Sequence, residues 1–397
     1  MLILILKGVS QYEGTRTFAD LAADAMREAG HSVQVRDLIG VPDIVADLEE
    51  LAGRIRPDLV FTINVLGEYR FSSGLTMTQL FGAPHVVWHT DYIFNHWDRL
   101  VGTPPETGLL MVDPTQIDAV HLFYGRERHP NIRFLPHPSA GSAVSDEDID
   151  AYAARPIPVL WSGTFQKPEK SWANAPAETR KLFERALERA LAVEWAPPHE
   201  IFDQVLAEAG VDLDNRSSAS ARTACWHVDA MVRMTRRFAF IKALAKTGLP
   251  LTICGEGWES QLYRFRNVTY LGATPMPRVV ELMRQSRVVL NTNGNFGGGS
   301  HERPFTALMS GALPFTDVSR YYEQVFEDGR DIAMYRWLDL PAGFRRLQEL
   351  VADPAGAHAM VVRGKAKAER EHTWGARLPI ILESARAAGL GVSAIPA

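Results

Sequence analysis

Seven consecutive residues, Gly297-Gly298-Gly299-Ser300-His301-Glu302-Arg303, set bare backbone beside an imidazole, a carboxylate and a guanidinium. Glycine leaves N–H groups open to approach, and a helix that starts just after them turns its positive dipole end on the same spot. That combination binds anions, phosphate groups above all. Arg303 can fork onto phosphate oxygens, and Glu302 can accept from ribose or sugar hydroxyls. The plainer alternatives are a surface turn capped by Ser300, a capping-box carboxylate and a solvated arginine. His301 serves equally as polar cap or contact. Lys167, after the Ser162-Gly163-Thr164 turn, and Arg237, at the start of an expected helix, are candidates for a second clamp, or else solvated charges. Glu256 lies between Gly255 and Gly257, where backbone can approach a flat ring closely; Trp258 stacks on that ring or fills the core.

In the first half, Trp88-His89-Thr90-Asp91 leave an apolar run. Asp and His both suit general-base work near neutral pH, Asp91 being the first candidate and His89 the second. Asp91 is also placed to cap a helix over 92–97. Gly8, Ser10 and Gly14 form a substrate-proximal loop after the first strand.

These residues need elements to hold them. Continuous apolar runs at Leu2–Leu6, Leu59–Ile63 and His85–Trp88 read as parallel strands buried on both faces. Helical patterns lie between them, and Met111-Val112, Ala119-Val120-His121 and Ile132–Leu135 read as further short strands. The β–α alternation predicts an open parallel sheet whose ligands bind outside the strand C-termini. Pro136-His137-Pro138 and the acidic stretch to Asp150 read as a linker. A second strand series starts at Val159-Leu160-Trp161 and continues at Leu249–Cys254, Val268–Leu271 and Val288-Val289-Leu290. Residues 166–230 are helix-forming and read as an insertion. The prediction is α/β, with two facing Rossmann-like domains.

At 397 residues the chain exceeds one ordinary core. A net charge of −5 gives no reason to expect a nucleic-acid surface. Cys225 and Cys254 have no metal-ligand spacing, and a reducing, cytoplasmic location is expected. The opening MLILILKG lacks the features of a signal peptide. No stretch approaches the ~20 apolar residues of a bilayer span.

The second half resembles the C-terminal domain of GT-B glycosyltransferases, and among them the CgeB-like group. The resemblance is carried by PVLWSGTF, RRFAFIKALAKTGLPLTICGEGWE, VTYLGATP, VVLNTNGNFGGGSHERPFTALMSGALPFTD and EHTWGAR, and more loosely by RPDLVFTIN, PHVVWHTDYIF and IRFLPHP. It implies an acceptor-side domain over 1–150, with Gly8, Ser10 and Gly14 in an acceptor-side loop. It implies a nucleotide-sugar-binding domain over 151–375 and a last segment, 376–397, returning to the first domain. The co-substrate would be a nucleoside diphosphate sugar, with no metal or other cofactor. Many retaining members carry a Glu-x7-Glu motif; the position of its second glutamate is Thr306 here, so Glu302 is the substitute from one turn earlier. The expected activity is sugar transfer to an acceptor in an interdomain cleft. Epimerisation or hydrolysis of a nucleotide sugar, or a non-catalytic binding subunit of the same shape, are the alternatives.

Overall fold

The computed structural model describes residues 1–64, 69, 71–212, 218–294 and 296–392. The chain divides into two compact units, Met1–Pro138 with Thr373–Ala397, and Ser139–His372.

The first unit is built on six strands: β1 (Leu2–Lys7), β2 (Ser32–Asp37), β3 (Leu59–Ile63), β4 (His85–His89), β5 (Gly108–Met111) and β6 (Ile132–Phe134). They run parallel in the order β2-β1-β3-β4-β5-β6. β3, β4 and β5 are buried at every residue, which is why their sequences are unbroken apolar runs rather than alternating ones. The order reverses between β1 and β3, so the loops after Lys7 and Ile63 border the switch point, with the loop after His89 one strand further on.

The second unit holds β7 (Ile157–Ser162), β8 (Leu251–Cys254), β9 (Val268–Gly272), β10 (Ser286–Asn291), β11 (Leu313–Asp317) and β12 (Ala333–Tyr335). These too are parallel, in the order β12-β11-β10-β7-β8-β9. Here the switch point falls between β7 and β10, where Trp161 pairs with Leu290. Two six-stranded parallel sheets with flanking helices agree with the α/β reading.

Three local expectations are corrected. Ala119-Val120-His121 is part of a helix, Pro114–Tyr124, because Asp113 caps it (Thr115 N–H to Oδ1, 2.8 Å) and Pro114 presets its first turn. Arg237 does not start a helix: one 27-residue helix, Ala219–Ala245, runs through it. It packs with Ala177–Leu191 and Pro198–Glu208 as the expected helical segment, of which residues 213–217 lie outside the described residues. The stretch after Pro138 is packed rather than free. Ala140 N–H donates to Thr306 Oγ1 (2.8 Å) and Val144 N–H to Met309 O (2.8 Å), both along the helix Glu302–Met309.

The last helix, Trp374–Val392, lies in the first unit; residues 393–397 of the expected final segment are outside the described ones. Arg377 Nε donates to Pro136 O (2.8 Å), and Asn131 Nδ2 to Ser384 O (3.0 Å). Trp374 is buried, with its ring 5.0 Å from Trp88, 6.2 Å from Phe18 and 6.5 Å from Phe61. Trp374→Ala should cost about 3–5 kcal/mol. Urea denaturation should show the lost midpoint with an unchanged slope; a midpoint within error of wild type would contradict this packing role.

Candidate active site

The second unit's switch point is paved by Trp161, a fully buried indole. Two guanidinium groups stand over it: that of Arg237 at 5.7 Å from the ring centre and that of Arg303 at 5.8 Å. Arg237 comes from the long helix and donates Nη1–H to Thr164 O (3.2 Å). Arg303 comes from the helix after β10 and donates to Asn291 Oδ1 (2.7 Å) at that strand's end. Arg233, one turn before Arg237, is a third cation, its Nε 3.8 Å from Asp229 Oδ2. Burial, then repulsion from Arg233 and Arg303, pulls Arg237 down to about 9. Guanidinium groups keep their proton at such values, so the direction records first the cost of burying this charge and second the repulsion from its neighbours. Among the described residues, Arg237 and Arg303 pair with no carboxylate, and the Nε of each is buried without a hydrogen-bond partner. The arrangement is a positively charged recess in which neither guanidinium has an acid partner among the described residues.

The glycine loop is built differently from the open cradle expected of it. Phe296 to Ser300, including Gly298, are all buried. Gly299 N–H donates to Phe296 O (3.0 Å), Gly299 O accepts from Ser319 Oγ (2.9 Å), and Arg320 N–H donates to Gly297 O (2.8 Å). A Cβ on Gly297 would overlap the Trp195 indole, so that glycine serves a close approach by protein. Asn293 N–H donates to Asp317 Oδ1 (2.6 Å), and Trp337 Nε1 to Asp317 Oδ2 (2.9 Å).

The helix Glu302–Met309 is capped by His301, not Ser300: His301 Nδ1 accepts from Arg303 N–H (3.4 Å). His301 N–H donates to Tyr322 Oη (2.8 Å). Burial lowers the His301 pKa, opposed by the Glu302 carboxylate against its Nδ1. Glu302 is itself buried at the first helical position. Thr306 donates to Glu302 O (3.0 Å) while accepting the Ala140 N–H, so the position of the second glutamate in the resembled motif anchors the incoming chain.

Two expectations fail on exposure. Trp258 is fully buried, donating Nε1–H to Gly163 O (2.7 Å) and packing 4.9 Å from the Phe165 ring, so it fills the core and has no face for a ligand. Lys167 is 76% exposed, 3.6 Å from Glu169, a solvated ion pair rather than a buried clamp. Glu256 is exposed, and its carbonyl accepts Phe165 N–H (2.8 Å). Gly255 and Gly257 adopt φ of 121° and 87°. A Cβ on the first would collide with the Gly163 carbonyl, and one on the second would sit 2.7 Å from Phe165 O.

In the first unit, the β3 and β4 ends meet in a polar cluster that the sequence reading covered only in part. Asn64 has a left-handed φ of 56°, a conformation that costs energy and clusters at functional sites. Its amide donates to Thr90 Oγ1 (2.8 Å) and Asp91 Oδ2 (2.9 Å), and its Oδ1 accepts Thr90 N–H (2.9 Å). His96 Nε2 lies 3.1 Å from Asp91 Oδ2, and Arg99 donates to His96 Nδ1 (3.0 Å) and to Asn64 O. Burial works to raise the Asp91 carboxyl; the His96 hydrogen bond and the nearby imidazoles outweigh it and hold it low. The Asp91 side chain is 48% exposed. His89 is fully buried, donates Nδ1–H to Asp91 O (3.0 Å), and is lowered to about 3 mainly by burial. It stays neutral and out of a substrate's reach, so His89 orients rather than titrates. Asn64, His96 and Arg99 were missed; the one signal was an asparagine ending a buried strand.

The loop after β1 is occupied internally. Gly8 O accepts from Arg16 Nη1 (3.1 Å), and Ser10 Oγ accepts Thr15 N–H (3.0 Å). Gly14 opens the helix Gly14–Glu28 at an ordinary φ of −59°.

Residues 236–383 match the family model described as glycosyl transferase-like. Solved structures share the whole architecture. An α-glucosyltransferase in complex with UDP and a 13-mer DNA gives a TM-score of 0.57 at 11% identity, over 97% of this chain and 99% of that one. Sucrose-phosphate synthase from Thermosynechococcus elongatus gives 0.54 at 11% identity, over 100% of both chains. Anabaena HepE in complex with UDP-glucose gives 0.50 at 12% identity, over 100% of both. No curated protein sequence matches. At such identities the structural likeness is one of fold, and the family model supplies the activity. The fold is that of the GT-B glycosyltransferases, and residues 236–383 form a glycosyl transferase-like segment.

The matched segment begins one residue before Arg237 and takes in Asp317, Glu302, Arg303 and the glycine loop. No described helix is long and apolar enough to cross a membrane, and the described residues hold no cluster of three His, Cys, Asp or Glu side chains with metal-site geometry. Two predictions concern the resting enzyme. Arg237→Met removes a buried charge without an acid partner and should stabilise the unliganded protein by about 1–4 kcal/mol; a lower melting temperature would contradict the repulsion. Burial raises Asp317 to about 6 from 3.8. An acid raised in the fold adds stability that is fully present below its unfolded value and is lost as pH rises through the folded one. Going from about pH 7 to about pH 4, wild type should gain on the order of 3 kcal/mol relative to Asp317→Asn in matched urea titrations. Equal pH slopes would remove that assignment.

Proposed function

We propose that the enzyme transfers a sugar from a nucleoside diphosphate sugar to an acceptor nucleophile, with the donor held by the second unit. The observation that carries this reading is the pair of acid-free arginines over Trp161, Arg303 buried and Arg237 half-buried, at the switch point between β7 and β10. A departing diphosphate gains charge in the transition state, and preorganised cations in a dry recess stabilise it without reorganising. Arg303 would fork onto its oxygens, with Arg237 and Arg233 behind. Glu302 would accept sugar or ribose hydroxyls. Transfer is proposed to run without a metal, because three guanidinium groups already meet the charge of the leaving group. UDP and UDP-glucose in the similarly folded structures support this donor class.

Asp91 is proposed as the acceptor-side base. Asn64 and His96 hold its Oδ2, and its Oδ1 bonds no described residue. A carboxylate held low is a weak base at rest, so it suits a proton that leaves late, once bond formation has acidified the hydroxyl. A net charge of −5 argues against a nucleic-acid acceptor of the kind bound by the α-glucosyltransferase. The CgeB-like subtype belongs to the same reading. So does a cytoplasmic location, since the free, buried Cys225 and Cys254 suit a reducing compartment.

Thermal-shift and calorimetric titration with nucleoside diphosphates and their sugars tests the proposal. One nucleotide should bind specifically, and Arg303→Ala and Arg237→Met should each weaken it at least about tenfold. Asp91→Asn should leave that affinity intact and lower transfer by about 100-fold or more. A broad panel without a single stabilising ligand would sink the donor reading; release of free sugar with no acceptor dependence would replace transfer by hydrolysis.

A further inference from the structure

The turn between the helices Ala177–Leu191 and Pro198–Glu208 is pressed onto the glycine loop. The Trp195 indole lies against the Cα of Gly297, leaving no room for a Cβ. Its other neighbours form a closed ring of contacts. The Arg320 guanidinium lies 5.6 Å from the Trp195 ring centre, and Arg320 N–H donates to Gly297 O (2.8 Å). The Glu194 carboxylate accepts the N–H groups of Trp337 (2.7 Å) and Leu338 (3.1 Å). Trp337 reaches Asp317, and Asp317 holds Asn293 at the other end of the loop. Arg236 ties the turn to the long helix, donating to Glu194 O (2.7 Å) and Ala190 O (3.0 Å). That helix carries Arg233 and Arg237. Beneath the turn only about 20 Å³ of void remains, lined by Trp195, Arg233, Thr292 and Gly294 among others.

We propose that Trp195 is a positioning residue: the helical segment acts as a clamp that fixes the glycine loop, and with it the spacing of Arg303 from Arg233 and Arg237. The physical reason is entropic. A stretch with glycines at 294, 297, 298 and 299 has many conformations to lose. A ring that needs a bare Cα beneath it selects one of them before any ligand arrives. The site's cations come from two separate elements, the long helix and the helix after the loop. A part touching both the loop and the long helix can set their distance, in addition to the Trp161 ring that both Arg237 and Arg303 share. The turn at 193–195 touches both. The inference rests on the donor reading for its functional consequence but not for the clamp itself.

Two readouts separate these. In the unliganded protein, Trp195→Ala should raise amide hydrogen exchange across residues 292–300 at least tenfold, while Trp195→Phe, which keeps a ring over Gly297, should leave it near wild type. Gly297→Ala should reproduce the exchange defect by pushing the loop off the indole. The double variant should be no worse than either single one, since the new methyl group occupies the vacated space. In titrations with UDP, Trp195→Ala should raise Kd about tenfold and KM for the donor with it, with kcat changed much less. Unchanged loop protection in Trp195→Ala, or a fully tolerated Gly297→Ala, overturns the clamp. If Trp195→Ala does not fold, the contrast between Trp195→Phe and Gly297→Ala in loop exchange decides it. If wild type binds no nucleotide at all, the donor reading fails while the exchange arm still judges the clamp.

Discussion

Like charges held together away from water are the constraint around which the second unit is arranged. Two guanidinium groups share the face of Trp161 and a third stands one helical turn away. Left alone, such groups would swing outward to solvent. What holds them is specific: Arg303 is tied to Asn291, and Arg237 to the Thr164 carbonyl. The ring beneath supplies a modest attraction of the cation–π kind. None of these contacts neutralises the charge. The cluster therefore costs stability, the pattern expected where function and stability compete for the same residues.

The same constraint explains why the loop beside the arginines is buried rather than exposed. A cluster of cations is useful only if its spacing matches the ligand to a fraction of an ångström. Arg303 follows the glycine loop by a few residues, so any freedom in the loop becomes freedom in Arg303. Asp317 secures the start of the loop through Asn293 N–H, Ser319 and Arg320 secure its carbonyls, and Trp195 closes it from above. Keeping Asp317 buried opposite Trp337 is itself unfavourable at neutral pH, as its raised carboxyl shows. Both costs are met by the surrounding core, where β7, β8, β10 and β11 are almost wholly buried.

Much of this was legible in the residues. Unbroken apolar strands alternating with helices announce doubly wound sheets, and the strand-loop-helix around Gly297–Arg303 points to the correct switch point. The failures share a cause: side-chain identity does not reveal which partner a residue has. Gly297 looked like an opening for phosphate because Trp195, about a hundred residues earlier, is invisible to local pattern. Trp258 looked available until its indole N–H was found on Gly163. Arg237 was assigned to a helix start because the helix-forming run before it gave no sign of continuing through. Ala119-Val120-His121 reads as a strand on its three residues alone, and the Asp113 cap with Pro114 in the first turn makes it part of a helix instead.

Asn64 shows a tighter kind of legibility, once the backbone is known. Its left-handed φ is accessible without large cost only to glycine and, less readily, to asparagine or aspartate. Glycine would satisfy the backbone but remove the amide that donates to both Thr90 and Asp91. Aspartate would satisfy it too, yet would face Asp91 with a second carboxylate in place of a donor. Asparagine alone both tolerates the turn and offers an N–H₂ group toward an acid while its oxygen takes the Thr90 N–H. The residue is thus chosen twice, by backbone and by side chain. Both choices act on Asp91: the strand end turns so that the carboxylate keeps one oxygen held and leaves the other without a partner among the described residues.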